Sequence, residues 1–124
     1  MSQFRPDINN ILLTVQKFIN DTAPKLQGEA KYHAIVASYL LGICERELRL
    51  SPGYNTKETA QLADFVRTSG PLEELQKSLA KGIRSGAYDA QWDALLDMLL
   101  LQTVDNVAVV RPDHLAPMHR AAAK

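Results

Sequence analysis

Glu29-Ala30-Lys31-Tyr32-His33-Ala34-Ile35-Val36-Ala37-Ser38-Tyr39-Leu40-Leu41-Gly42-Ile43-Cys44-Glu45-Arg46-Glu47-Leu48-Arg49-Leu50 is the stretch whose reading decides the fold. It holds no proline, and Tyr32, Ile35, Val36, Tyr39, Leu40 and Ile43 recur at spacings of three and four, the period of one face of an α-helix. Ser51-Pro52-Gly53 follows and predicts a firm stop, because proline lacks the amide that the next helical bond needs. The six apolar residues are expected to form the buried face of the longest helix in the chain.

Working outward, the same period appears on both sides. Before it, Ile8, Ile11, Leu12, Val15, Phe18 and Ile19 form an apolar stripe behind Asp7, a residue suited to cap the first turn, and Pro24 ends the helix. After it, Asn55 or Thr56 can cap a third helix reaching about Thr68, with Leu62, Phe65 and Val66 apolar. Ser69-Gly70-Pro71 breaks the chain again. Leu72, Leu75, Leu79 and Ile83 then form a narrow stripe that Ser85-Gly86 closes, glycine taking the left-handed conformation past the last turn. Asp89 can cap a fifth helix to about Asn106, apolar nearly all round, and Val107-Ala108-Val109-Val110 either extends it or runs as a strand-like segment. No alternating strand pattern of useful length occurs. The expected architecture is all-α, a compact bundle of about five helices over residues 1–115, with helices one, two and five carrying the core and 116–124 a mobile tail.

The chain has 124 residues, with 14 basic side chains balancing 14 acidic ones. That length suits one domain. Zero net charge argues against nucleic acid as a partner, since polyanion affinity rests on many Lys and Arg contacts. The charges of the third and fourth helices also balance, which leaves a helix-turn-helix reading without a basic face. A helix that crosses a bilayer takes about 20 residues. Ala34 to Cys44, the longest uncharged apolar run, falls far short of that, so no membrane partner is expected. A lone cysteine, Cys44, cannot form an internal disulfide and points to a reducing compartment, and the N-terminus lacks a secretory pattern. A cytoplasmic protein is the expectation.

Candidate site residues are polar groups placed where the helical period wants apolar ones. With Tyr32 at zero and about 100° per residue, the apolar arc of the second helix runs from about −60° (Ile35) to about +80° (Leu40). Arg46 falls at about −40° and Glu47 at about +60°, inside the arc, whereas Glu45 and Arg49 point to water. Charges on a buried face need a partner, and ion pairing at the end of the bundle supplies one. The sharper alternative is a small-ligand site at His33, Arg46 and Glu47, with Arg46 holding an anionic group and Glu47 or His33 moving a proton. Glu29 and His33 stand one turn apart, yet no second such pair exists to complete a metal site. Neither a glycine-rich phosphate loop nor a Gly-x-Ser-x-Gly elbow is present. No catalytic residue, metal or cofactor is therefore expected.

Arg5-Pro6-Asp7, Tyr32-His33, Val36-Ala37, Arg46-Glu47-Leu48, Ile83-Arg84-Ser85-Gly86 and Thr103-Val104 through Val109 and Pro112 together resemble an uncharacterised bacterial helical domain family, over residues 5–115. That family is associated with aminoglycoside-phosphotransferase-like kinases and acyl-CoA dehydrogenases. The resemblance implies no established activity; it implies a small accessory module near such enzymes. Ile35, Tyr39 and Asn106 depart from the arginine, asparagine and lysine of the family pattern, which favours structural roles for His33 and Arg46-Glu47. The functional expectation is a non-catalytic interaction module with a protein partner. Met98 and Leu101, with Leu13, are expected to form a homodimer surface.

Overall fold

A computed structural model of the chain describes residues 7–122. All of its regular structure is helical, with no strand among the described residues: α1 Ile8–Thr22, α2 Gly28–Val66, α3 Leu72–Ser85, α4 Trp92–Val110 and α5 Pro117–Ala122, with short 3-10 turns at Ala23–Lys25, Asp89–Gln91 and Pro112–His114. The all-α expectation holds, although the five helices are not the five the spacing predicts. Two of the expected helices are one, because α2 runs through Ser51-Pro52-Gly53 with Pro52 inside it. Proline removes one helical hydrogen bond and crowds one carbonyl. Val107–Val110 resolves as the last turn of α4. The chain divides into two compact units between Ser51 and Pro52.

In the first unit, α1 and the N-terminal part of α2 meet along a polar seam. Asn9 donates its side-chain amide to the backbone carbonyl of Glu45 at 2.9 Å, and Gln16 donates to the carbonyl of Ser38 at 2.8 Å. The Ser38 hydroxyl donates to Asn20. Gly42 lets the helices close up, for a Cβ there would lie 3.1 Å from Gln16 Nε2 and 3.2 Å from an Arg46 guanidinium nitrogen. Ser38, Gly42 and Glu45 are buried, while Tyr32, Ile35, Val36, Tyr39 and Leu40 are exposed. This reverses the expected orientation of α2. On the same helical wheel, the seam is centred at about 230°, nearly opposite the apolar arc. Burying amides and a carboxylate is possible because each finds a partner in the seam. The α1 stripe is likewise turned outward at Ile8, Ile11, Val15 and Phe18, with Leu12 and Ile19 half-buried. Asp7 stands at the N-cap in extended backbone, but its carboxylate makes no capping bond.

The apolar core clusters lie in the second unit, another departure from the expected weighting of helices one, two and five. Leu62, Leu75, Leu79 and Leu95 form one cluster, backed by Phe65, Ile83, Tyr88, Met98 and Leu99. Val104, Ala108 and Leu115 form a second with Tyr54 and Val107. Between α2 and α4, the Lys57 ammonium stands 2.6 Å from the buried Asp105 carboxylate. α3 ends as its sequence predicts: Gly86 adopts φ +80°, its amide reaches the carbonyl of Ile83 and the amide of Ala87 reaches that of Gly82. α2 ends in the same way without glycine. Arg67 takes φ 60° and Thr68 donates to the carbonyl of Ala63, so a side chain occupies a conformation that normally favours glycine. The C-terminal segment carries α5, where Arg120 donates to the carbonyls of Leu115 and Asp113.

Candidate interaction surface

The structure does not bring His33, Arg46 and Glu47 together. All three lie on α2. A helical rise of about 1.5 Å per residue separates His33 from Arg46 by roughly 20 Å, too far for one small ligand. His33 is exposed, its ring tilted against Tyr32 at 5.9 Å. Arg46 is half-buried beside Gly42, and Glu47 is exposed. The buried acid is their neighbour Glu45, which the wheel points to water.

Glu45 is where the electrostatics of the first unit concentrate. Arg49, one turn along α2, donates to its carboxylate at 2.7 Å, and the Asn9 amide approaches the same oxygen at 3.4 Å. The Arg49 hydrogen bond holds the Glu45 carboxyl below the usual glutamate range; burial opposes this, and Asn9 and the charge of Arg46 add to it. The Asn9 and Arg49 contacts of this carboxylate both come from within the first unit. Sequence reasoning misses it because the wheel is oriented by its apolar arc. A signal is there in the run of small and polar residues Ala34, Ala37, Ser38 and Gly42, which line up with Glu45 on the other face.

Hollows in the second unit are shallow. One groove of about 520 Å³ runs past Thr56, Thr59, Ala60, Ala63 and Leu72, but the Thr56 and Thr59 hydroxyls already donate to the carbonyls of Pro52 and Asn55. No group of three or more His, Cys, Asp or Glu among the described residues could hold a metal ion. No helix among the described residues is long and apolar enough to cross a membrane.

What the molecule displays instead is apolar helix surface. Phe18 is 68% exposed and Tyr32 66%, and each belongs to a row of exposed side chains on its own helix. On α4, Leu95, Met98 and Leu99 pack into the core, whereas Trp92, Leu96, Leu100 and Leu101 are exposed. Of the three residues expected to form a dimer surface, Leu13 and Leu101 are exposed, and Met98 is partly buried against the first core cluster.

The class thus defined is an all-α protein with a hydrogen-bonded polar seam between α1 and α2 and outward apolar helix faces. The chain belongs to the family of the domain of unknown function DUF6285, whose pattern matches residues 24–114, about three quarters of its length. The match begins in the 3-10 turn after α1, later than the motif resemblance from Arg5 suggests. No curated protein and no solved structure matches the chain significantly.

Proposed function

We propose that this protein is a non-catalytic interaction module that works as a homodimer, its copies meeting along the outward stripe of α1. The observation that carries the reading is the polar seam itself. By spending Asn9, Gln16 and Asn20 on contacts to α2, it turns Ile8, Ile11, Val15 and Phe18 toward solvent. A row of large apolar side chains without a cover is the usual mark of an association surface. Charge does not oppose a second copy: in the described part of the first unit Asp7, Asp21, Glu29, Glu45 and Glu47 are balanced by Lys17, Lys25, Lys31, Arg46 and Arg49.

The client of such a module is a second protein. The motif resemblance supports a kinase-like or acyl-CoA-handling enzyme of the bacterial cytoplasm, and the exposed, unbridged Cys44 suits a reducing compartment. Sedimentation tests the dimer. At tens of micromolar, on the order of the affinity of a modest interface, the wild type should run as a dimer and Phe18→Glu as a monomer. A wild type that stays monomeric sinks the reading.

A further inference from the structure

We propose that the exposed face of α4 is a docking site for an amphipathic helix of a partner protein, one that carries Lys or Arg beside its apolar stripe. The proposal rests on the interaction-module reading but uses a surface other than the α1 stripe. Trp92, Leu96 and Leu100 follow one another at one-turn intervals, each about half exposed, and form a slanting row along α4. Leu95, Met98 and Leu99 occupy the adjoining, core-facing side, so the row cannot also be buried in the same cluster.

Charge decides the occupant. α4 contains the acids Asp93, Asp97 and Asp105 and no basic residue. Asp105 is buried and taken by Lys57. Asp93 and Asp97 are exposed one turn apart on the flank of the row, and neither makes an ion pair among the described residues. The positive end of the helix dipole accounts for Asp93 in the first turn, but its influence fades beyond that turn and does not account for Asp97. At the head of the row, Asp89, Gln91, Trp92 and Asp93 line a notch of about 390 Å³. An ammonium or guanidinium entering it meets two carboxylates and an indole, the combination that favours a cation both by charge and by the ring quadrupole. A second α4 face would bring carboxylates against carboxylates, and an anionic bilayer would be repelled likewise. A basic-flanked helix fits both the row and the notch.

Trp92 is the single tryptophan of the chain, so its emission reports directly on this face. The full chain is titrated with a tryptophan-free amphipathic peptide of about five turns, its leucine stripe flanked by lysines, and with a twin carrying glutamates in their place. The lysine peptide should shift Trp92 emission to the blue and saturate, and the glutamate twin should not. Asp93→Asn with Asp97→Asn should weaken binding by about fivefold, the scale of two exposed charge contacts. Asp93→Lys with Asp97→Lys should transfer the preference to the glutamate twin. Far-ultraviolet circular dichroism verifies that the variants remain helical. Phe18→Glu should respond as the wild type does, so loss of the α1 dimer and loss of this site are told apart. Equal binding of both peptides, no response to the lysine peptide, a blue shift that grows with protein concentration alone, or a response to anionic vesicles but not to the peptide would each overturn the proposal.

Discussion

Gly82 and Tyr88 are packed so closely that a Cβ on Gly82 would lie 2.2 Å from Cε2 of the tyrosine ring. The ring lies over the last turn of α3 and stacks at a tilt on Phe65, 4.9 Å between centroids, linking the end of α2 to the end of α3. Glycine is required here for space, inside a helix where it would otherwise be unfavourable. Four residues on, Gly86 is required for its left-handed backbone.

Gly82→Ala should therefore lose about 1–3 kcal/mol despite the better helix propensity of alanine, because the ring has to leave its place over α3. Urea unfolding measures it. The loss should shrink when the ring is already gone, as in the double variant with Tyr88→Ala, since residues in contact are not additive. Equal losses in both backgrounds would mean that the ring and the glycine are independent.

Acid should weaken the first unit through Glu45. Its carboxyl, held down chiefly by Arg49, ionises in the fold below the ordinary value of 4.5. The stability it contributes is thus present above that value and is lost as pH falls through the lower, folded one. Glu45→Gln should cost about 1 kcal/mol at neutral pH, given that Arg49 is half exposed. The gap between wild type and variant should close as pH falls from the ordinary glutamate range through the lower, folded value. Thermal melts across that window verify the sign, and a gap that widens on acidification contradicts the assigned pairing.

Lys57 and Asp105 should respond unequally to deletion. The aspartate side chain is 10% exposed and the lysine 47%, its ammonium also 5.4 Å from the Tyr54 ring centre. Lys57→Met leaves a buried carboxylate without its countercharge, a loss of about 2 kcal/mol or more. Asp105→Asn leaves an ammonium that can turn to water, at about 1 kcal/mol. Paired denaturation curves decide it; an equal or reversed order would mean that Asp105 has other support.

Much of this fold is legible along the chain, and little of it across the chain. Periodicity and breakers place α1, the α2–α3 break at Ser69-Gly70-Pro71 and the glycine closure at Gly86, because these depend on local backbone chemistry. Which face of a helix is buried depends on what lies opposite. For α2 the opposite surface is the Asn9, Gln16 and Asn20 row of α1, which selects Ser38, Gly42 and Glu45 over the more apolar Tyr32–Leu40 face. Arg46 and Glu47 stand out in the sequence for the same reason: their interest depends on an arc that does not face inward. Hydrophobic period identifies a helix more surely than it identifies the helix's neighbour.

Pro52 offers the sharpest test of where local chemistry and packing disagree. Within α2 it deletes the amide that would reach the carbonyl of Leu48, and its ring crowds that carbonyl. If packing on both flanks holds the helix through this point, Pro52→Ala supplies the missing bond and removes the clash. Some of that gain is offset because alanine frees the unfolded chain that proline restrains. The net expectation is a stabilisation of about 2 kcal/mol, with a rise of several degrees in thermal midpoint. The new amide at position 52 should be protected from hydrogen exchange like its helical neighbours. A stop at Ser51-Pro52-Gly53 would produce the opposite pattern. Alanine would then add no helical bond, the midpoint would hold or fall, and the amide would exchange as in an open turn.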